Sequence, residues 1–156
     1  MRPRPLRKWT TRRVVIIAAA ALLTACSAAP AASLNGISRT VELTMTEELT
    51  FEPAQIEIRR GETVSFSVRN VSNEAHEAYI GPEEQQRLHA AEHSGLSPRE
   101  QDQVTHSMAG LHIAPFGTGV IEYAFQDPEL DEIVIGCHYP GHYEAGMQVV
   151  ITVVDG

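Results

Sequence analysis

The chain has 156 residues, which is enough for one domain of ordinary size and too few for two. Its formal net charge is −8, and the first 25 residues carry six Arg or Lys residues and no acid, so removing those six positive charges leaves −14 for the rest. A body this acidic excludes nucleic acid and anionic lipid as partners bound by charge, but it suits high solubility or a basic protein partner.

Residues 1–25 have the pattern of a secretory signal peptide, with a basic stretch before a short apolar run at residues 14–23. The run is too short to span a bilayer as a helix. It ends in the letters LTAC, which resemble a bacterial lipobox and predict cleavage before Cys26 and lipidation of its thiol. The alternative is an ordinary cleavage site with an incidental cysteine. The pair Arg12-Arg13 also resembles a twin-arginine signal, so general secretion and twin-arginine export both stay open.

The predicted lipid anchor has consequences for location and for the second cysteine. Residues 26–38 are rich in Ala and Ser and read as a flexible tether, with an ordered strand as the alternative. We therefore expect an exported protein held at the outer face of the cytoplasmic membrane, or elsewhere in a periplasm or cell envelope. If Cys26 is lipidated, Cys137 has no disulfide partner in the mature chain, and metal ligation would explain its presence.

Alternating apolar and polar residues predict β-strands from residue 39 onward, in the domain that we place at residues 39–156. The apolar positions of the first three strands are Val41, Leu43 and Met45, then Ile56 and Ile58, then Val64, Phe66 and Val68. A fourth strand is predicted to begin at His76, where a ligand at the end of a sandwich would belong; an ordinary surface histidine is the alternative. Short strands separated by turn residues indicate an all-β sandwich or barrel.

Residues 82–115 interrupt the strand pattern and predict a partly helical insertion. Residues 82–93 are rich in helix formers, and the letters SPRE at residues 97–100 match a capping box that opens a second short helix. Four residues of the insertion are candidate ligands of a second metal ion: His89, His93, His106 and Met108. We favour the alternative of a solvated, histidine-rich insertion, since only the i, i+4 pair of histidines has a definite geometry.

The segment at residues 137–147, here called the ligand loop, follows a further run of predicted strands and precedes the terminal strand at residues 147–154. It reads C-x4-H-x4-M and is bent by proline and glycine, so Cys137, His142 and Met147 can turn toward one point. Two His and one Cys in a trigonal plane, with Met on the axis, form a blue-copper electron-transfer site. His76 is the best candidate for the missing histidine. Zinc binding or plain core packing are the alternatives.

Two sequence blocks resemble the cupredoxin family of plastocyanin-like and azurin-like proteins, over roughly residues 41–154. The first reads F-x-P-x-x-I-x-I-x-x-G-x-T-V-x-F at residues 51–66 and is followed by Asn70 and then by His76 and Glu77. The second, more specific block reads G-C-x-x-P-G-H-x-x-x-G-M at residues 136–147. The resemblance implies a Greek-key β-sandwich that binds one type 1 copper. The implied copper ligands are His76, Cys137, His142 and Met147.

The chain departs from the small members of the family at two places. Many of them have Asn or Ser after the first histidine, where it braces the copper loop, but Glu77 stands here. We expect the backbone N–H of Glu77 still to reach the sulfur of Cys137. The insertion is absent from the smallest electron carriers and resembles that of lipoprotein-like bacterial cupredoxins.

The resemblance favours one-electron transfer, with copper cycling between Cu(II) and Cu(I) and the acidic body steering a basic redox partner such as a cytochrome or an oxidase. The ring edge of His142 is expected to face solvent within a patch formed by Tyr139, Pro140 and Tyr143. The alternative is an envelope copper chaperone or buffer, which a second metal site in the insertion would favour. We expect a monomer and no enzyme, since four ligands leave no open position for a substrate.

Overall fold

Nine β-strands and two short helices form the part of the chain that the computed structural model describes, which is residues 36–101 and 109–156. The strands are β1 (Arg39–Met45), β2 (Phe51–Glu52), β3 (Gln55–Arg59), β4 (Thr63–Asn70), β5 (His76–Gly81), β6 (Gly110–Ile113), β7 (Thr118–Ala124), β8 (Glu132–Gly136) and β9 (Gln148–Val154). The helices are α1 (Glu83–His93) and α2 (Pro98–Gln101). Neither helix has the length and apolar character needed to cross a membrane.

The strands form two sheets, and the chain passes between them repeatedly. One sheet has the order β2-β1-β4-β7 and the other has the order β3-β9-β8-β5-β6. Two strand pairs, β1 with β4 and β3 with β9, are parallel, and the remaining neighbours are antiparallel. Because parallel neighbours cannot be joined by a tight hairpin, the connections must cross to the other sheet. The predicted β-sandwich is confirmed.

The core lies between the sheets and is built from the apolar positions that alternation predicted. Leu43 and Met45 of β1 and Phe66 of β4 are almost completely buried from one sheet. Ile135 of β8 and Ile151 of β9 are equally buried from the other. Each such side chain contributes about 1.5–3 kcal/mol to the free energy of unfolding through the area removed from water. The alternating residues of β4, such as Ser65, are only half-buried, as a sheet with one wet face requires.

The insertion has the predicted helices, but its end was predicted wrongly. Helix α1 spans residues 83–93, and the Ser97 hydroxyl and backbone N–H both donate to the Glu100 carboxylate at the start of α2. The insertion was predicted to run to about residue 115, whereas β6, at Gly110–Ile113, already pairs with β5 in antiparallel register. β6 has four residues, Gly-Leu-His-Ile, which is too short a run to show an alternating pattern.

Several predicted features lie outside the described residues. The signal peptide, Cys26 and nearly all of the tether fall within residues 1–35, and His106 and Met108 fall within residues 102–108. These assignments stay predictions. The described domain begins with β1 at Arg39.

Candidate metal centre

Three predicted ligands converge at one end of the sandwich. Nδ1 of His76 lies 3.2 Å from Nδ1 of His142, and the sulfur of Cys137 lies 3.4 Å from Nδ1 of His142 and 3.9 Å from Nδ1 of His76. Donor atoms at about 2.0–2.3 Å from one metal and 120° apart are separated by roughly 3.5–3.8 Å. The three donor atoms therefore form the triangle that a trigonal metal ion needs.

The sandwich holds these donors on two segments. His76 opens β5, and Cys137 follows the last residue of β8, the strand that pairs with β5. Within the ligand loop, the Met147 N–H donates to the His142 carbonyl at 3.0 Å and the Cys137 N–H donates to the Met147 carbonyl at 3.2 Å. Gly141 has a φ of 83°, a left-handed conformation that glycine adopts without strain. The bend of the loop is thus stabilised by its own backbone hydrogen bonds and by Gly141.

Burial sets the protonation state of the metal-free site. Burial, with a smaller effect from nearby His142, lowers the pKa of His76 to about 4. Burial likewise lowers the pKa of His142 and raises the pKa of the Cys137 thiol to about 12. Both imidazoles are therefore neutral and able to donate to a metal at neutral pH, whereas an incoming metal must displace the thiol proton.

Met147, the predicted axial ligand, is completely buried at the point where the ligand loop enters β9. Its carbonyl accepts the Cys137 N–H, so its backbone lies directly beside the cysteine. Met147 as a copper ligand stays a prediction.

A buried hydrogen-bond chain orients His76. Ser72 Oγ lies 2.8 Å from Nε2 of His76, and the same hydroxyl donates to Oδ1 of Asn70 at 2.8 Å. Asn70 in turn donates through Nδ2 to the carbonyls of Glu74 and Ala114. Because the Ser72 proton is directed toward Asn70, Ser72 accepts the Nε2 proton of His76 and leaves Nδ1 free to bind a metal. Ser72 was not identified from the sequence, whereas Asn70 follows the first cupredoxin block.

The sequence matches no established family profile. The copper-resistant cuproprotein CopI of Rubrivivax gelatinosus is 34% identical over 110 residues, which cover 70% of this chain and 62% of that protein, so the match spans less than two thirds of the relative. The copper-resistant cuproprotein CopI of Pseudomonas aeruginosa is 27% identical over 141 residues, covering 74% of this chain and 76% of that protein.

Solved structures share the architecture. Dithionite-reduced auracyanin from the photosynthetic bacterium Roseiflexus castenholzii has 25% sequence identity and a TM-score of 0.59, covering 76% of this chain and 99% of its own. The chain therefore has the cupredoxin fold. An azurin from the methylotroph Methylomonas sp. strain J has the same fold, with 18% identity and a TM-score of 0.55, covering 76% of this chain and 99% of its own.

In this cupredoxin-like fold, Glu77 connects β5 to the ligand loop through two hydrogen bonds. Its backbone N–H donates to the sulfur of Cys137 at 3.3 Å, as expected from the sequence. Its side chain also crosses to the loop, since Oε2 accepts the backbone N–H of His138 at 3.1 Å. Glu77 is completely buried, so both hydrogen bonds are shielded from water. The Glu77 carboxylate thus makes a hydrogen bond to the ligand loop at the position where many family members have Asn or Ser.

Helix α1 of the insertion packs onto the sandwich. The favoured interpretation of a solvated insertion was therefore wrong for α1. His89 and His93 are 4% and 3% exposed. Gln86 fixes the helix by donating to the carbonyl of Val134 at 2.7 Å, and its Oε1 lies 2.8 Å from Nε2 of His138. The predicted helical pair thus faces β5 and the ligand loop, where α1 contributes polar groups next to Glu77.

Proposed function

We propose that this cupredoxin carries single electrons through one type 1 copper bound by His76, Cys137, His142 and Met147. The observation that carries the proposal is the trigonal convergence of three donors, two from the ligand loop and one from the start of β5. Copper bound there would supply a one-electron couple between Cu(II) and Cu(I). The protein's contribution is to hold the donor atoms in a fixed geometry. Ser72 fixes one imidazole and Glu77 braces the thiol, so little reorganisation accompanies a change of charge.

The route for the electron is the His142 imidazole. Its side chain is 13% exposed, whereas His76 and Cys137 are completely buried. Around it, Pro140 is exposed and Tyr139 is largely buried with its ring stacked near His142. We propose that a redox protein such as a cytochrome or an oxidase docks here, with the acidic body attracting a basic partner, and that lipid on Cys26 keeps the exported monomer at the membrane.

Copper homeostasis is the second candidate function. Its support is the name of the two sequence relatives, both copper-resistant cuproproteins, together with the buried histidines of α1. Under this alternative the domain would store or hand over copper at the cell envelope. The site geometry alone supports a fixed ligand set rather than a transfer site, so electron transfer is placed first.

A copper titration followed by repeated reduction and reoxidation tests the proposal. We expect Cu(II) to produce an intense blue band that saturates at one equivalent, bleaches on reduction and returns fully on reoxidation in the presence of a competing Cu(I) chelator. Loss of copper to the chelator at each reduction would favour a buffer or chaperone. A protein that binds copper without any intense visible band would contradict the type 1 assignment.

Met147→Leu tests the axial position. Leucine conserves volume in the core but removes the sulfur, so copper should stay bound while the reduction potential rises, because a hydrocarbon stabilises Cu(II) less than a donor atom does. We expect a shift on the order of 60 mV, which corresponds to about a tenfold change in the one-electron equilibrium. Voltammetry measures it. Met45→Leu, the same change at a buried position of β1, should leave the potential unchanged; equal shifts in both variants would exclude Met147 as the axial ligand.

A further inference from the structure

We propose that Glu77, His89 and His93 form a second metal site, selective for a divalent ion of the copper(II) and zinc(II) class and preferring copper(II). The inference goes beyond electron transfer and does not depend on it. Each of the three residues offers one donor atom, and these atoms all lie within 4.8 Å of one another. Such a cluster has the composition of a two-histidine, one-carboxylate metal site.

The fold brings the three side chains of the cluster close together. His89 and His93 are one helical turn apart on α1, and their ring centroids are 4.2 Å apart. Nε2 of His89 lies 2.8 Å from Oε1 of Glu77 on β5. Donor atoms bound at about 2.0–2.2 Å to one ion lie at most about 4.4 Å apart, so small side-chain rotations complete the site. The ring of His89 stacks on Tyr79 with centroids 3.8 Å apart, which fixes its plane.

The charges in the cluster favour a cation. Glu77 is completely buried, and a carboxylate out of water is costly unless positive charge or hydrogen bonds compensate it. A divalent ion would supply that charge and replace the hydrogen shared between Glu77 and His89. Imidazole and carboxylate donors without a thiolate suit zinc(II) and copper(II), and the order of stability of divalent ions places copper(II) first.

The second site has an access route for a metal ion and a structural connection to the first centre. A cavity of about 520 Å³ borders His93 and His138, so an ion can reach the cluster from that side. Glu77 connects the cluster to the first centre, because its N–H reaches the sulfur of Cys137 and its Oε2 holds the N–H of His138. Metal bound at Oε1 of Glu77 would withdraw electron density from this bracing residue. We therefore expect filling of the second site to shift the absorption of the first.

The test is copper(II) binding by the purified whole protein, with metal counted after removal of loosely bound ions and the visible and electron paramagnetic resonance spectra recorded. The wild type should bind two copper ions, the first intensely blue and the second weakly coloured with nitrogen couplings. His93→Gln should keep the first copper and its blue band and weaken the second by about 100-fold or more, because one of three protein ligands is lost. Zinc(II) added after one copper equivalent should compete for the second site only.

Glu92→Gln is the matched control, since this exposed carboxylate lies on the same helix, 3.9 Å from Nδ1 of His89, and is outside the cluster. It should retain both copper ions. A wild type that saturates at one copper, or a second copper that survives in His93→Gln, would overturn the proposal. In Cys137→Ser the blue band is lost in any case, so a copper ion there that depends on His93 would support the second site even if the electron-transfer proposal failed.

Discussion

Replacing Cys137 with serine is expected to abolish the intense blue colour of the copper protein and to weaken copper binding by roughly two orders of magnitude or more. The colour of a type 1 site needs the thiolate, and a serine hydroxyl neither deprotonates at neutral pH nor offers a soft donor. The buried sulfur of Cys137 also accepts the N–H of Glu77, so the substitution changes the atom through which the ligand loop contacts β5. Visible absorption and a copper titration measure the effect.

The chain offers a matched control in its other cysteine. Cys26→Ser makes the same chemical change at the predicted lipidation position, and the purified variant should keep the full blue band and the copper bound at the first centre. If Cys137→Ser stayed blue, or if Cys26→Ser lost the colour, the ligand assignment would have to be abandoned.

Phe66→Ala should lower the free energy of unfolding of the metal-free protein by about 3–5 kcal/mol. Phe66 is completely buried on β4 and meets Phe125 edge to face with ring centroids 6.2 Å apart. Removing the ring leaves a cavity between two packed sheets that cannot collapse easily. Because domains of this size are stable by only about 5–15 kcal/mol, urea unfolding should show a large fall in the midpoint with little change in slope.

The same substitution at an exposed phenylalanine separates the effect of burial from the effect of removing an aromatic ring. Phe116→Ala removes a side chain that is 68% exposed, at a residue with a φ of 58° that is equally unfavourable for both residue types. We expect a change within about 0.5 kcal/mol. Comparable losses in the two variants would mean that the core does not lie where the structure places it. Metal-free protein is required, because a bound ion adds its own stabilisation.

The sequence signals for the sandwich and for the candidate metal ligands are local. The alternating pattern of a strand such as β4 indicates which residues face the core. The ligand loop contains its cysteine, histidine and methionine within eleven residues. Only His76 had to be assigned across a gap, and the structure brings it to 3.2 Å from His142. The two histidines lie close because the start of an inner strand and the end of its antiparallel neighbour lie at the same end of a sheet.

The surroundings of the site were not predictable, because they depend on distant parts of the chain. Glu77 binds His89 twelve residues later and His138 sixty-one residues later, and no spacing rule links them. The burial of α1 was missed since its inward face is polar, with Gln86, His89 and His93 in place of the apolar stripe by which a packed helix is usually found. The carboxylate at position 77 looked like a departure from the family, although it is the partner of that helix.

Loss of the C-terminal segment would disrupt the domain, because this segment forms strand β9. It lies between β3 and β8 in its sheet, so Gln55 at the beginning of the domain pairs with Val150 near its end. Such a distant parallel pairing closes a long stretch of chain and delays folding until the last strand is available. A chain that stopped at the ligand loop would keep its cysteine and both histidines but would leave two strand edges uncovered. Such a fragment is expected to aggregate rather than bind copper.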